Sequence, residues 1–259
     1  MSAAQLTDRG FQYDRRWMLV DADNSFITQR ECPQMSLLQT AFEKDLLIVH
    51  HKNKEGDRIE LSLNPATAPT CKVKIWADEC TAQYISTTAD EWFSDKLSIP
   101  CRLVYMPDSE RRKVDQQYAF NNEITNLSDA YPLLIIGQSS LDDLYSRLKQ
   151  PLPMNRFRPN IVFTGGEPYE EDTMEHVVVN NIDLYGVKLC ARCPITTTDQ
   201  HTALRGKEPL KTFAKYRMKN NKVYFGQNML YSKTGIINVG DVMEVIKTKP
   251  PVLFDGDKT

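Results

Sequence analysis

Apolar runs of four or five residues, each closed by turn-forming or charged residues, recur along this chain and are too short for helices. Trp17-Met-Leu-Val20, Asp21-Ala-Asp-Asn24 and Phe26-Ile-Thr-Gln-Arg30 predict a strand, a turn and a returning strand. Leu46–His50 and Ile59–Leu63, joined by a polar loop, predict a second hairpin, and Lys72–Trp76 alternates as a half-buried strand does. Further strands are expected at Cys101–Tyr105, Asn160–Phe163, His176–Val179, Val223–Phe225 and Val242–Ile246, with a turn at Asn180-Asn181. Helices are expected only at Thr88–Leu97, with Thr88 and Glu91 as a capping box, at Ser139–Leu148, and near Pro209–Tyr216. Strands outnumber helices and no βαβ alternation occurs, so the fold class is α+β, mostly β and barrel-like.

The 259 residues allow one large domain or two moderate ones. A soft boundary falls in the polar stretch after Pro107, giving a β-rich region 1–106, a domain 107–250 and a flexible tail 251–259. A net charge of −2 argues against a nucleic-acid partner. No apolar run approaches the roughly 20 residues that span a bilayer, and no secretory pattern is seen, so a cytoplasmic, non-membrane protein is expected. Six cysteines in such a chain read as reduced thiols, with Cys71 and Cys101 as core residues.

The densest chemistry lies in Gly186–Asp199, which carries Cys190, Arg192, Cys193, three threonines and Asp199. Pro194 prevents a helix from running unbroken through the thiols. A CxxC can belong to a zinc ribbon, but Cys71 and Cys80 are spaced too widely to supply the second pair. A redox pair wants a helix N-terminus, which Pro194, Ile195 and three threonines disfavour. One buried structural thiol and one reactive or inert thiol is the plainest reading of the spacing. Cys193, His201 and Asp199 as a hydrolase triad rests on proximity in sequence alone, and His201 is expected in a solvated loop. Arginines recur beside strand ends, at Arg15, Arg16, Arg30, Arg156, Arg158 and Arg192, and their convergence would make a focused anion site.

Four blocks together resemble the MOSC family, in the branch of the amidoxime-reducing components. They are Asp14-Arg15-Arg16-Trp17 with Gln29-Arg30-Glu31, Asn155–Val162 with its FRPN, and Cys190-Ala-Arg-Cys193 with Thr196-Thr-Thr-Asp199. The fourth is the C-terminal series Lys207–Leu210, Tyr216-Arg217, Phe225–Asn228 and Val239–Asp241. The resemblance implies a MOSC-type β-barrel-like domain, preceded by an N-terminal β-rich region, that binds molybdenum cofactor (Mo-molybdopterin). It carries the metal-ligating, catalytic cysteine onto Cys193 and cofactor contacts onto Arg15, Arg158, Asn160 and Arg192. The implied activity is reduction of small N-hydroxylated compounds such as amidoximes, hydroxamates and N-hydroxylated bases. Electrons would come from a separate ferredoxin- or cytochrome-type reductase system, and no pyridoxal phosphate is expected. Two departures from the resemblance stand out: the sequence starts past the family's first strand with its Lys-Ser, so that strand is expected either to be missing or to precede an internal Met taken as the start, and the loop after Asp199 reads Gln-His-Thr. The alternative within the same family is a non-enzymatic carrier of sulfur or of the cofactor, using the same cysteine and arginines.

Overall fold

In the computed structural model, which describes residues 2–54 and 56–255, the chain is mostly β-sheet with three α-helices. It divides into two compact units that do not follow a single cut along the sequence. The first comprises the residues up to Asp14, Lys113–Thr197 and the chain from Lys207 onward; the second comprises Arg15–Arg112 and Thr198–Gly206. The β-rich region expected over 1–106 is therefore shared between units: the strand Ala3–Thr7 pairs with Gly235–Asn238 in the first.

The first unit is built on a curled seven-stranded sheet. Its order is Ile161–Phe163, Leu133–Gly137, Lys222–Tyr231, Ile182–Ala191, Met174–Val179 and Met243–Thr248, with Met218–Lys219 also pairing onto Lys222–Tyr231. All pairs are antiparallel except Leu133–Gly137 with Ile161–Phe163. In Ile182–Ala191 the residues Ile182, Leu184 and Gly186 are buried while Asp183 and Tyr185 are half-buried, the period of two that a one-sided strand requires. Leu133–Gly137 is buried at every position, because Leu133 and Ile135 face one cluster and Leu134 and Ile136 another. A strand covered on both faces has no alternation, so its sequence carries no period of two to mark it. Asn180 and Asn181 make the expected turn, with φ of 46° and 62°, a left-handed conformation that asparagine tolerates. The helix Gln138–Arg147 lays Leu141 and Leu144 against Leu134, Ile136 and Phe157. The helix expected near Pro209–Tyr216 is only Leu210–Phe213, and of the expected tail Phe254 is buried, its ring 4.2 Å from the Arg217 guanidinium; residues 256–259 lie outside the described residues.

The second unit holds a four-stranded sheet in the order Trp17–Val20, Arg102–Tyr105, Asp78–Tyr84, Thr70–Ile75, and a three-stranded sheet of Leu38–Glu43, Leu46–His51 and Arg58–Ser62. Phe26–Arg30 is not the returning strand. After one bridge, Val20 to Phe26, the Glu31 carboxylate accepts from the Thr28 amide and hydroxyl and curls the backbone away. Trp17–Val20 pairs instead with Arg102–Tyr105. The helix Thr87–Leu97 is capped not by Thr88 but by Ser86, whose Oγ accepts the Ala89 amide at 3.1 Å.

Candidate functional site

The thiol segment leaves the strand Ile182–Ala191 at its last ladder pair, Ala191 with Tyr224, and the Arg192 amide still donates to the Val223 carbonyl at 2.7 Å. Past that point the strand cannot continue, because Pro194 opens a 3₁₀ turn over Pro194–Thr197. Two threonine hydroxyls tie the turn down: Thr196 Oγ1 donates to the Cys193 carbonyl at 3.0 Å and Thr197 Oγ1 to the Pro194 carbonyl at 2.7 Å. The Cys193 backbone is thus held between a sheet and a capped turn, its side chain is half-buried, and no described residue hydrogen-bonds its sulfur.

Arg192 points back into the unit. Its Nη1 donates to Cys190 Sγ at 3.1 Å and its Nη2 to the Phe157 carbonyl at 2.6 Å, with the guanidinium 5.7 Å from the Phe157 ring centroid. Its Nε is buried and meets no acceptor among the described residues. Phe157 is itself fully buried, 4.7 Å centroid to centroid from Phe225, so the FRPN block and the Phe225–Asn228 segment are joined through the core.

Beyond Phe157 the chain turns at Arg158, which is exposed with φ 55°. Asn160 then starts the parallel strand pair: its amide donates to the Leu134 carbonyl at 2.8 Å and its Oδ1 accepts the Leu134 amide at 3.0 Å. Its Nδ2 donates to Asp14 Oδ2 at 2.9 Å, and the Asp14 carbonyl accepts from Asn126 Nδ2 at 2.5 Å. The first unit therefore holds two hydrogen-bonded sets, Asp14 with Asn160 and Arg192 with Cys190 and the Phe157 carbonyl, joined by the short stretch of chain from Phe157 to Asn160. Asp14 and the Phe157 carbonyl carry no signal of their own in the sequence beyond membership in the blocks, whereas Cys190 is visible there as the first thiol of the pair.

Arg15 follows Asp14 in the chain and belongs to the second unit, with φ 50°. Several of the other arginines are committed to the fold. Arg16 is buried against Tyr105 and donates to the Met106 carbonyl at 2.5 Å and to Asp108 at 2.7 Å; Arg30 lies 4.6 Å from the Trp76 ring centroid. Arg217 pairs with Asp172 at 2.5 Å, both buried. Asp199 caps its own loop, accepting from His201 and Thr202 amides at 3.0 Å, and His201 is exposed. In the second unit that loop is held by Arg205, which donates to the Gln29 and Arg30 carbonyls, and by Lys52, which donates to the Gln200 carbonyl at 2.5 Å. Among the described residues no three His, Cys, Asp or Glu side chains gather into a metal set.

The family model of the MOSC domain matches residues 122–244, and that of the MOSC N-terminal beta barrel domain matches 1–100. The mitochondrial amidoxime-reducing component 1 of Mus musculus is 30% identical over 259 residues, covering 93% of this chain and 76% of that protein. The chain belongs to the MOSC family. Its human counterpart among these relatives, mitochondrial amidoxime-reducing component 1 of Homo sapiens, is 29% identical with the same coverage. The molybdenum cofactor sulfurase of Oryza sativa subsp. japonica is 30% identical over 92% of this MOSC chain, which spans 30% of that larger protein. Among the described residues, no helix is long and apolar enough to cross a membrane.

Proposed function

We propose that this MOSC chain binds molybdenum cofactor and reduces N-hydroxylated compounds, including amidoximes, hydroxamates and N-hydroxylated bases. The observation that carries the reading is the pairing of a half-buried, unbonded Cys193 sulfur with the neighbouring Arg192, whose buried Nε lacks an acceptor. A thiolate is the soft donor that molybdenum takes, and a buried N–H without a partner is the kind of group an anionic ligand satisfies. The donor set fits the cofactor in kind: Cys193 would offer one thiolate to a metal otherwise held by the pterin dithiolene. The cofactor, when bound, supplies the two-electron chemistry that removes oxygen from the N–OH group.

The protein's part is binding and orientation. Cys193, its backbone held by the Thr196 and Thr197 hydroxyls, would supply the thiolate that holds the metal. Arg15, Arg158 and Arg192 bring forked positive charge to the pterin and its phosphate, and Asn160 shapes the same cradle by fixing the start of Ile161–Phe163. Six free cysteines agree with a reducing, cytoplasmic setting, and electrons arrive from a separate donor protein of ferredoxin or cytochrome type.

Protein purified from a host that makes the cofactor is expected to hold molybdenum near one per chain and to reduce benzamidoxime with a chemical reductant. Cys193→Ser is expected to lose turnover while melting as the parent does. Full benzamidoxime reduction by that variant overturns the assignment. A stable persulfide on Cys193 in metal-free parent protein points to the carrier instead.

A further inference from the structure

Cys190 sits two residues before Arg192, near the end of the strand Ile182–Ala191, half-buried beside the cluster of Leu134, Ile136, Phe157 and Phe225. That position alone would make it a packing residue. Its sulfur, however, accepts from Arg192 Nη1 at 3.1 Å. A guanidinium is a rigid planar fork, so anchoring both Nη groups, one on Cys190 and one on the Phe157 carbonyl, fixes the whole plane. The third donor, Nε–H, is then left buried without an acceptor among the described residues. A side chain with this many rotatable bonds ordinarily rearranges to satisfy such a group, and the two anchors prevent it.

We propose that Cys190 is a positioning residue, whose sulfur, with the Phe157 carbonyl, locks Arg192 so that its unpartnered Nε–H is reserved for an anionic group of the molybdenum cofactor. The proposal rests on the cofactor reading given above. Cys190 touches neither metal nor substrate in this scheme; it acts through Arg192. Sulfur suits the task because it accepts a hydrogen bond weakly from the cation while its body packs against the aromatic cluster.

Two substitutions separate positioning from packing. Cys190→Val keeps an apolar side chain of similar size but has no acceptor; Cys190→Ser keeps an acceptor and is more polar. Both variants and the parent are purified from a cofactor-producing host, and molybdenum per chain is followed by mass spectrometry during timed gel filtration, alongside thermal melts of the metal-free forms. Positioning predicts that Cys190→Val loses molybdenum about tenfold faster than the parent, the change that one charge-assisted hydrogen bond is worth, while Cys190→Ser stays within about twofold. Arg192→Lys, which leaves the Cys190 side chain in place, is expected to lose molybdenum as Cys190→Val does. If Cys190→Val retains the metal as the parent does, or if Arg192→Lys does, the proposal is overturned while the cofactor reading stands. Parent protein that carries no molybdenum overturns the cofactor reading and this inference with it.

Discussion

The side-chain amide of Asn160 donates to the Asp14 carboxylate at 2.9 Å while its oxygen accepts the Leu134 amide at 3.0 Å, so one residue joins segments 146 positions apart to the edge of the main sheet. Both ends of the amide are engaged, and the residue after Asp14 is Arg15. Removing this side chain strips partners from a carboxylate and from a backbone amide at once. Asn160→Ala is expected to cost about 1–3 kcal/mol in urea denaturation. Because the two side chains share one interaction, Asn160→Ala combined with Asp14→Ala is expected to cost less than the sum of the single changes. Strict additivity would mean that the contact contributes nothing to the folded state.

Gly186 lies where the strand Ile182–Ala191 passes closest to its neighbours. A Cβ there would overlap the Met174 carbonyl and the side-chain amide of Gln227, which itself donates to that carbonyl at 2.7 Å. One of the obstructing groups is backbone, so a small rotamer change cannot relieve the clash. Gly186→Ala is expected to destabilise by about 3 kcal/mol or more, read as a lowered denaturation midpoint with an unchanged slope.

Arg217 and Asp172 form a buried ion pair at 2.5 Å, with the guanidinium also 4.2 Å from the ring centroids of Tyr169 and Phe254. Burial pushes the Asp172 carboxyl up, and Arg217 beside it works in the opposite direction. Asp172→Asn leaves a buried cation without its counter-charge, and a cost of about 3–5 kcal/mol is expected. Replacing both residues with apolar ones of similar size is expected to recover much of that loss, which calorimetry of the single and double variants would measure.

Glu171 is fully buried and accepts from Ser140 Oγ at 2.7 Å. Burial is the main cause that raises its carboxyl from 4.5 to about 7; the neighbouring Asp172 adds to the rise, and the Ser140 hydroxyl and the Gly137 amide oppose it. The folded protein therefore keeps this proton at pH values where the unfolded chain has released it. The stability it contributes is full below about pH 4.5 and is lost as pH rises through about 7, a change of roughly 3 kcal/mol for a rise of this size. Glu171→Gln is expected to lose less stability than the parent between pH 5 and pH 8. Equal pH slopes for the two proteins would sink this assignment.

Much of the strand pattern is legible from sequence wherever a strand has one wet face, as at Thr70–Ile75, where Val73 and Ile75 are buried and Lys72 and Lys74 exposed. It fails at Leu133–Gly137, which is covered on both sides, and at Phe26–Arg30, where a local carboxylate competes with the sheet for the backbone. The thiol segment is legible as a strand running into a loop because Pro194 ends the strand by covalent chemistry. Cys190 and Arg192 are equally visible in sequence, but nothing in their spacing says that one holds the other.

By itself, then, the sequence determined the β-rich class, the turn at Asn180-Asn181 and the end of the strand that delivers Cys193. Each depends on side-chain period or on backbone restrictions that act over a few residues. Only the tertiary structure decided that Ala3–Thr7 pairs with Gly235–Asn238, that Asp14 meets Asn160 and that Arg192 meets Phe157. Those contacts close loops of many residues, and their geometry depends on how whole sheets pack, which no local pattern encodes.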